Sequence, residues 1–360
     1  MDSKHPRAGT MTRRTAALAA VAAVMLAVGV AAVLGGSDAP ERAPGPSPSG
    51  TPATTSPPAV PAQPAPAPDA PVPDTRLAAL GGAGPLIGMA DNRPETMTDP
   101  RFGATGIKRV RVTVPFDDIA LGGARLAIQD AWFSAARGQG IEPVVTFFRS
   151  SRGKTILPSP EEFRRHFRLF RERYPWVRWF STWNEANFSA QPTSRDPART
   201  ARFYRIARQE CSGGRCEVIT CDFRPDGRAR SDRWLAAFKR GIGPGPHRWG
   251  LSSYVDVNRQ STTLTQRFLA RTEGPVWVNE VGAINFFGQG FAPDIQRQSR
   301  VMAYLLSTYA QVSPRIERIY VYHWRAAAGD DLFDSGLLDV QGVPRPAYYL
   351  FFQAIGRPPA

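Results

Sequence analysis

The 360-residue chain is predicted to be an α/β protein: a (β/α)8 TIM barrel over residues 76–360, preceded by a transmembrane or signal helix and a disordered Pro-rich linker. Three observations predict this. Short β-type runs alternate with helix-type segments beyond Arg76, the pattern of a parallel sheet covered by helices. There are eight such runs, and from Leu86 to Arg318 they start about 33 residues apart, close to the ~30 per unit of a barrel spanning ~250 residues. Before them lie an uncharged apolar run and a proline tract, neither of which belongs to the barrel.

Residues 1–36 form the cytoplasmic tip and the apolar segment. From Ala16 to Gly36 the run is about 20 residues long, enough to cross a bilayer and longer than the ~7–15 residue core of a cleaved signal. Lys4, Arg7, Arg13 and Arg14 precede it, so the positive-inside rule keeps the N-terminus cytoplasmic and sends the remainder outside. A twin-arginine signal at Arg13-Arg14 is a poorer match, and also exports the chain. Residues 37–75 are Pro, Ala, Ser and Thr, lack apolar surface, and favour extended conformations. At ~3.1 Å per residue this tether reaches on the order of 100 Å. The barrel is therefore expected outside the cytoplasm, membrane-anchored, or secreted if the segment is cleaved.

The strand candidates are "LIGMA", "RVRVTV", "EPVVTFF", "VRWFSTW", "EVITCD", "WGLSSYV", "VWVNE" and "RIYVYHW". Helix signals fill the gaps between them. Ser159-Pro160-Glu161-Glu162 offers an N-cap, a first-turn proline and a capping-box acid; Asp196-Pro197 repeats the device, and Gly138 and Gly241 mark stops. An open doubly wound sheet is the competing fold. A dinucleotide-binding version of it would need a glycine fingerprint after the first strand, which "MADNRPETM" lacks.

The net charge of +14 belongs wholly to the remainder of the chain, because the first 75 residues carry five basic and five acidic side chains. Such an excess can recruit nucleic acid, anionic lipid or an acidic polysaccharide. Its arginines are scattered along helices such as "EEFRRHFRLFRERY", which reads as a solvated face, and no basic-aromatic module for nucleic acid is present. Of the three cysteines in "CSGGRCEVITC", Cys211 and Cys216 can close a short disulfide loop, leaving Cys221 as a buried thiol. A zinc site would want a fourth ligand nearby.

In such a barrel reactive groups stand at the C-terminal ends of strands. Glu185 closes the fourth predicted strand and Glu280 the seventh, each preceded by an asparagine, Asn184 and Asn279. Taken singly, either acid reads as well as a capping or salt-bridging residue. As a pair across one mouth they match what glycoside cleavage needs: one acid to protonate the departing oxygen and one carboxylate to attack or to activate water. Crowding two acids raises one pKa, letting that group hold a proton near neutrality. Asn184 fits as a donor to a sugar hydroxyl. Asp91, Asn92 and Asn258 occupy loops at the same end, where Asp and Asn also serve as turn formers. His323 is read as structural. With four histidines, no His-x-x-x-His and no serine elbow, metal or serine hydrolysis finds no support.

The stretch "LPSPEEFRRHFRLFRERYPWVRWFSTWNEANF", with "VWVNEVG" and "YVYHWRAAAGDDLFDSGLLDVQGVPRPAYYLF", resembles clan A glycoside hydrolases, nearest to the family 39 type and related bacterial barrels. The resemblance covers Leu86 to Gly356 and implies a retaining hydrolase without a cofactor. It makes Glu185 the acid/base, Asn184 the amide before it and Glu280 the nucleophile. Arg111 and Tyr254 become the nucleophile's supports, and Trp324 the floor of the sugar subsite; read without the resemblance, Trp324 is equally well a core residue. Two positions depart from the pattern: Ala186 stands where many relatives have proline, and Ser252 where many have histidine. The expected partner is an oligosaccharide or polysaccharide, an acidic one being compatible with the charge, and the expected state is a monomer. The competing reading, kept open by Ser252, is a non-catalytic carbohydrate-binding barrel in envelope polysaccharide assembly or sensing.

Overall fold

The computed structural model describes residues 74–288, 290–327 and 332–360. The expected transmembrane or signal helix and nearly all of the expected linker lie outside the described residues. Among those described, no helix is long and apolar enough to cross a membrane.

The strands are β1 (Leu86–Ala90), β2 (Arg109–Pro115), β3 (Glu142–Phe148), β4 (Trp179–Ser181), β5 (Glu217–Ile219), β6 (Asp222–Phe223), β7 (Trp249–Ser252), β8 (Val276–Val281), β9 (Phe286–Phe287), β10 (Ile316–Tyr322) and β11 (Phe333–Asp334). Nine of them form one sheet in the order β5-β4-β3-β2-β1-β10-β8-β7-β6, and every pairing in it is parallel. Its two ends, β5 and β6, are consecutive in the chain. Segment 217–223 bonds on both sides: Asp222 N donates to Trp183 O at 2.8 Å, and Thr220 N to Arg248 O at 2.9 Å. The predicted fifth strand is thus split by Thr220 and Cys221, and it joins β4 to β7 to give a TIM-barrel-like fold. β9 and β11 form a separate antiparallel pair.

The helices follow local chemistry. Ser159 and Glu162 form the reciprocal capping box, with Pro160 in the first turn of helix Pro160–Arg173. That helix buries Phe163, His166, Phe167 and Phe170, an i, i+3, i+4, i+7 stripe, against Phe147 of β3 and Phe180 of β4. Asp196 caps helix Pro197–Glu210 by accepting from Arg199 N. Gly241, one residue short of the end of helix Ala229–Ile242, has a packing role as well: a Cβ there would lie 2.5 Å from that of Ala201.

Several outward arginines are paired rather than free, Arg164 and Arg168 with Glu210 and Arg173 with Asp130. Cys211 and Cys216 form the expected disulfide, and Cys221 is a buried free thiol. Inside the barrel, Trp179, Trp277 and Tyr320 pack together, with the Arg318 guanidinium 3.7 Å above the Trp277 ring. This filling makes the barrel interior a packed core rather than a pore.

Three strands end earlier than the sequence expectation: β4 stops at Ser181 rather than Trp183, β7 at Ser252 rather than Val255, and β10 at Tyr322 rather than Trp324. All three departures fall at the mouth.

Candidate active site

The mouth holds an open cleft lined by residues that include Arg111, Asn184, Glu185, Gln191, Tyr254, Glu280, Tyr322 and Phe333. The two acids named from the sequence therefore share one cavity, although they are distant in the chain.

Glu280, late in β8, is gripped from two sides. Arg111 of β2 donates to its Oε2, and the Tyr254 hydroxyl donates to its Oε1 at 3.0 Å. Tyr254 opens the short helix Tyr254–Asn258 just after β7, which turns its phenol inward. Burial pushes that phenol's pKa well up, and the charge of Glu280 adds to the effect, so the hydroxyl remains a donor. Arg111 is itself buried and fully engaged. Its Nε donates to Thr146 Oγ1 at 3.1 Å, and its Nη2 to Asp222 Oδ2 at 2.8 Å and to Asn184 Oδ1.

Asp222 organises this layer. It is 0% exposed, and besides Arg111 it accepts from Asn279 Nδ2 and Ser181 Oγ, each at 2.6 Å. Gly250 makes room for it, since a Cβ there would lie 2.4 Å from Asp222 Oδ1. Sequence reasoning missed Asp222, although it closes "EVITCD" as Glu185 and Glu280 close their own strands.

Glu185 sits in a different environment. It is 5% exposed and takes φ 42°, a left-handed conformation that costs a residue with a Cβ about 1–2 kcal/mol. Its neighbours hold it there: Asn184 N donates to Phe147 O at 2.8 Å and Ala186 N to Asp222 O at 2.9 Å. A proline at 186 would lack the second of these bonds. Burial pushes the Glu185 carboxyl up to about 7; the Arg224 cation opposes this and the Glu280 charge adds to it. The buried Ser252 hydroxyl is turned toward the same carboxyl.

The other sequence candidates fare differently. Asn184 lines the cleft and is oriented by Arg111, which donates to its amide oxygen; that bond leaves the amide nitrogen, the donor named from the sequence, unused. Asn258 is a brace: its amide donates to Tyr254 O and Gly282 O, and its oxygen accepts from Ile284 N. Asp91 and Asn92 line the cleft, yet their polar atoms are engaged, Asp91 by Arg93 and by Trp324 N, Asn92 by Thr113.

Trp324 is a correction. It is 1% exposed, lies against Phe102 and Tyr348, and donates its indole N–H to Asp99 at 2.9 Å, so it does not floor the cleft. The reason is the early end of β10. Alternation turns Arg318, Tyr320 and Tyr322 inward, but beyond Tyr322 the chain swings away, leaving Tyr322 as the cleft aromatic. His323 is buried as expected for a structural residue, and burial pushes it down to about 4.

Arg224 and Phe333 also escaped the sequence reading. Arg224 lies two residues past Asp222, with its Nε 3.5 Å from Glu185 Oε1. Phe333 comes from β11, whose pairing with β9 places it over the mouth next to Tyr254 and Tyr322.

No protein-family model and no curated protein matches the chain. Solved structures do. An endo-1,4-beta-xylanase, XylE, from Penicillium canescens is 12% identical with a TM-score of 0.54, covering 80% of this chain and 99% of its own. Xylanase 10B from Thermotoga maritima is 11% identical at TM-score 0.54, covering 78% and 98%. A psychrophilic family 10 endo-beta-1,4-xylanase is 13% identical at TM-score 0.54, covering 76% and 98%. At these identities the likeness establishes the fold: the chain is built on the barrel that these glycoside hydrolases use.

Proposed function

We propose that the barrel is a retaining glycoside hydrolase, of clan A and nearest to the family 39 type, acting outside the cytoplasm on a glycan of the cell envelope or its surroundings. One observation carries the reading. Two carboxyl groups share a cleft in opposite settings: Glu280 between a guanidinium and a phenol, Glu185 buried and pushed up to about 7. That division assigns the nucleophile and the acid. The xylanase neighbours support a polysaccharide substrate. The disulfide supports an oxidising compartment. A monomer suffices, since all these residues come from one chain.

In the first step a Glu280 oxygen attacks the anomeric carbon while the Glu185 proton passes to the glycosidic oxygen. The carbon–oxygen bond to the leaving group breaks, and a glycosyl ester on Glu280 remains. Glu185, now a carboxylate, takes a proton from water. The hydroxide equivalent attacks the same carbon and Glu280 departs, so that configuration is retained. No step calls for a cofactor.

The test is a panel of aryl glycosides and oligosaccharides run with the wild type and Glu280→Ala. Cleavage by the wild type that the variant loses, with its circular dichroism unchanged, is the expected result. Equal turnover by both would remove the assignment. In Glu185→Ala, substrates with good leaving groups should still form the ester, and azide should speed its release. A variant indifferent to azide would argue against the acid/base role.

A further inference from the structure

Each acid of the cleft faces a buried arginine, but the two pairs are built differently. Arg111 donates a hydrogen bond directly to Glu280 Oε2, and its other nitrogens are shared among Thr146, Asn184 and Asp222. Arg224, 3% exposed, has Glu185 as its salt-bridge partner among the described residues, and the contact is long. Its Nε lies 3.5 Å from Glu185 Oε1 and makes no hydrogen bond there.

Short segments on either side fix that distance. Arg224 N donates to Asn187 Oδ1 and Asn187 Nδ2 donates back to Arg224 O, each at 2.8 Å, so the chain after β6 is stapled to the chain two residues past Glu185. Asn187 Nδ2 also donates to Ser231 Oγ at 3.2 Å, and the guanidinium carbon sits 4.1 Å from the centre of the Phe188 ring. Asn187 and Phe188, both buried, therefore hold the cation at one separation from the acid.

The length of the contact decides what the pair can do. A direct bond from a guanidinium fixes a carboxyl as its acceptor, which suits a carboxylate that must attack. A charge at 3.5 Å without such a bond still attracts, because Coulomb energy falls only as the inverse of distance, but it leaves Glu185 room to carry a proton. Burial and the Glu280 charge favour that proton; Arg224 is the strongest influence in the other direction, ahead of the Ser252 hydroxyl and Arg111. The Tyr254 phenol also faces the acid. Without the Arg224 charge, Glu185 would keep its proton at a pH where the second step needs it gone.

We infer that Arg224 is a positioning residue: held at this distance, it lets one carboxyl serve as acid in the first step and as base in the second. The two steps rest on the hydrolase reading; the effect of the cation on the acid does not. In the second step water gives a proton to the Glu185 carboxylate while its oxygen bonds to the anomeric carbon and the bond from that carbon to Glu280 breaks. Of the groups facing Glu185, only Glu280 changes charge during the cycle, and its loss of charge in the ester acts in the same direction as Arg224.

The test follows the Glu185 carboxyl carbon by 13C NMR in the full-length protein, assigned with Glu185→Gln, in the wild type, Arg224→Met and Arg224→Lys. Removing the charge should raise the midpoint by about one pH unit or more. Arg224→Lys, which keeps the charge but loses the flat contact with Phe188, should fall between the two. If Arg224→Met does not fold, Arg224→Gln keeps a buried polar side chain and carries the same expectation. With a 2,4-dinitrophenyl glycoside that the wild type cleaves, the pH at which ester release reaches half its plateau should rise with the midpoint in the uncharged variant. Azide, which needs no base, should speed release below that pH. A midpoint unchanged or lowered in the uncharged variant would overturn the proposal, as would ester release whose pH profile does not move. A raised midpoint in a protein that cleaves nothing would count against the hydrolase reading alone.

Discussion

Asp222 Oδ2 lies 2.8 Å from the Arg111 guanidinium, and both side chains are buried. The aspartate therefore acts on Glu280 through the arginine, as a positioning residue. Removing one partner of a buried ion pair costs about 3–5 kcal/mol because the other is left uncompensated. Asp222→Asn should fall near the lower figure, since Glu280 still faces Arg111, and should reduce kcat more than it raises KM. Urea denaturation and steady-state kinetics on one preparation check both.

Gly250 tests the same layer without touching a reactive group. A Cβ at that position would lie 2.4 Å from Asp222 Oδ1 and 3.1 Å from Asn279 Nδ2. Gly250→Ala should destabilise the fold by about 1–3 kcal/mol and lower kcat as Arg111 shifts. Wild-type stability in this variant would show that the layer can relax, and would weaken the case for Asp222 as an anchor.

Glu185 has its pKa raised, to about 7, so its working proton is present below that pH and lost above it. Activity limited by the acid should fall as pH rises through about 7. Stability follows the same direction. The folded state holds this proton more tightly than the unfolded chain, so stability declines as pH rises from the ordinary glutamate range through about 7, on the order of 3 kcal/mol in all. Glu185→Gln should remove that decline, which denaturant midpoints measured at pH 4.5 and 8 would reveal.

Trp324 and Tyr322 should separate stability from binding. Trp324→Phe loses the indole bond to Asp99 and some packing against Tyr348, so it should cost about 1–2 kcal/mol while KM stays put. Tyr322→Ala should raise KM for any glycan that stacks in the cleft. A rise in KM for the tryptophan variant alone would return the platform to Trp324.

Much of this was legible in the residues. The eight runs became the barrel strands because alternating β-rich and helix-rich stretches can bury their apolar faces together only as strand–helix layers. The Ser159-Pro160-Glu161-Glu162 signal became a capping box because its donors and acceptors are close in the chain. Glu185 and Glu280 were found by a rule about strand ends, and the same rule applied evenly would have found Asp222.

What failed was whatever depended on where a strand stops. Trp324 was placed on the cleft by the family resemblance, whereas β10 ends two residues before it, and a strand's last residue depends on its neighbours' hydrogen bonds rather than on its own side chains. Arg224 and Phe333 reach the mouth through loop geometry that no periodicity encodes. The sequence by itself determined the layers, the caps, the disulfide partners and the presence of two acids at strand ends, because these follow from interactions close along the chain or from burial summed over many residues. Only the tertiary structure decided which cation faces which acid and which aromatic faces the cleft. Electrostatic pairing acts over a few ångströms in space, and separations along the chain, 169 residues from Arg111 to Glu280, carry no information about it.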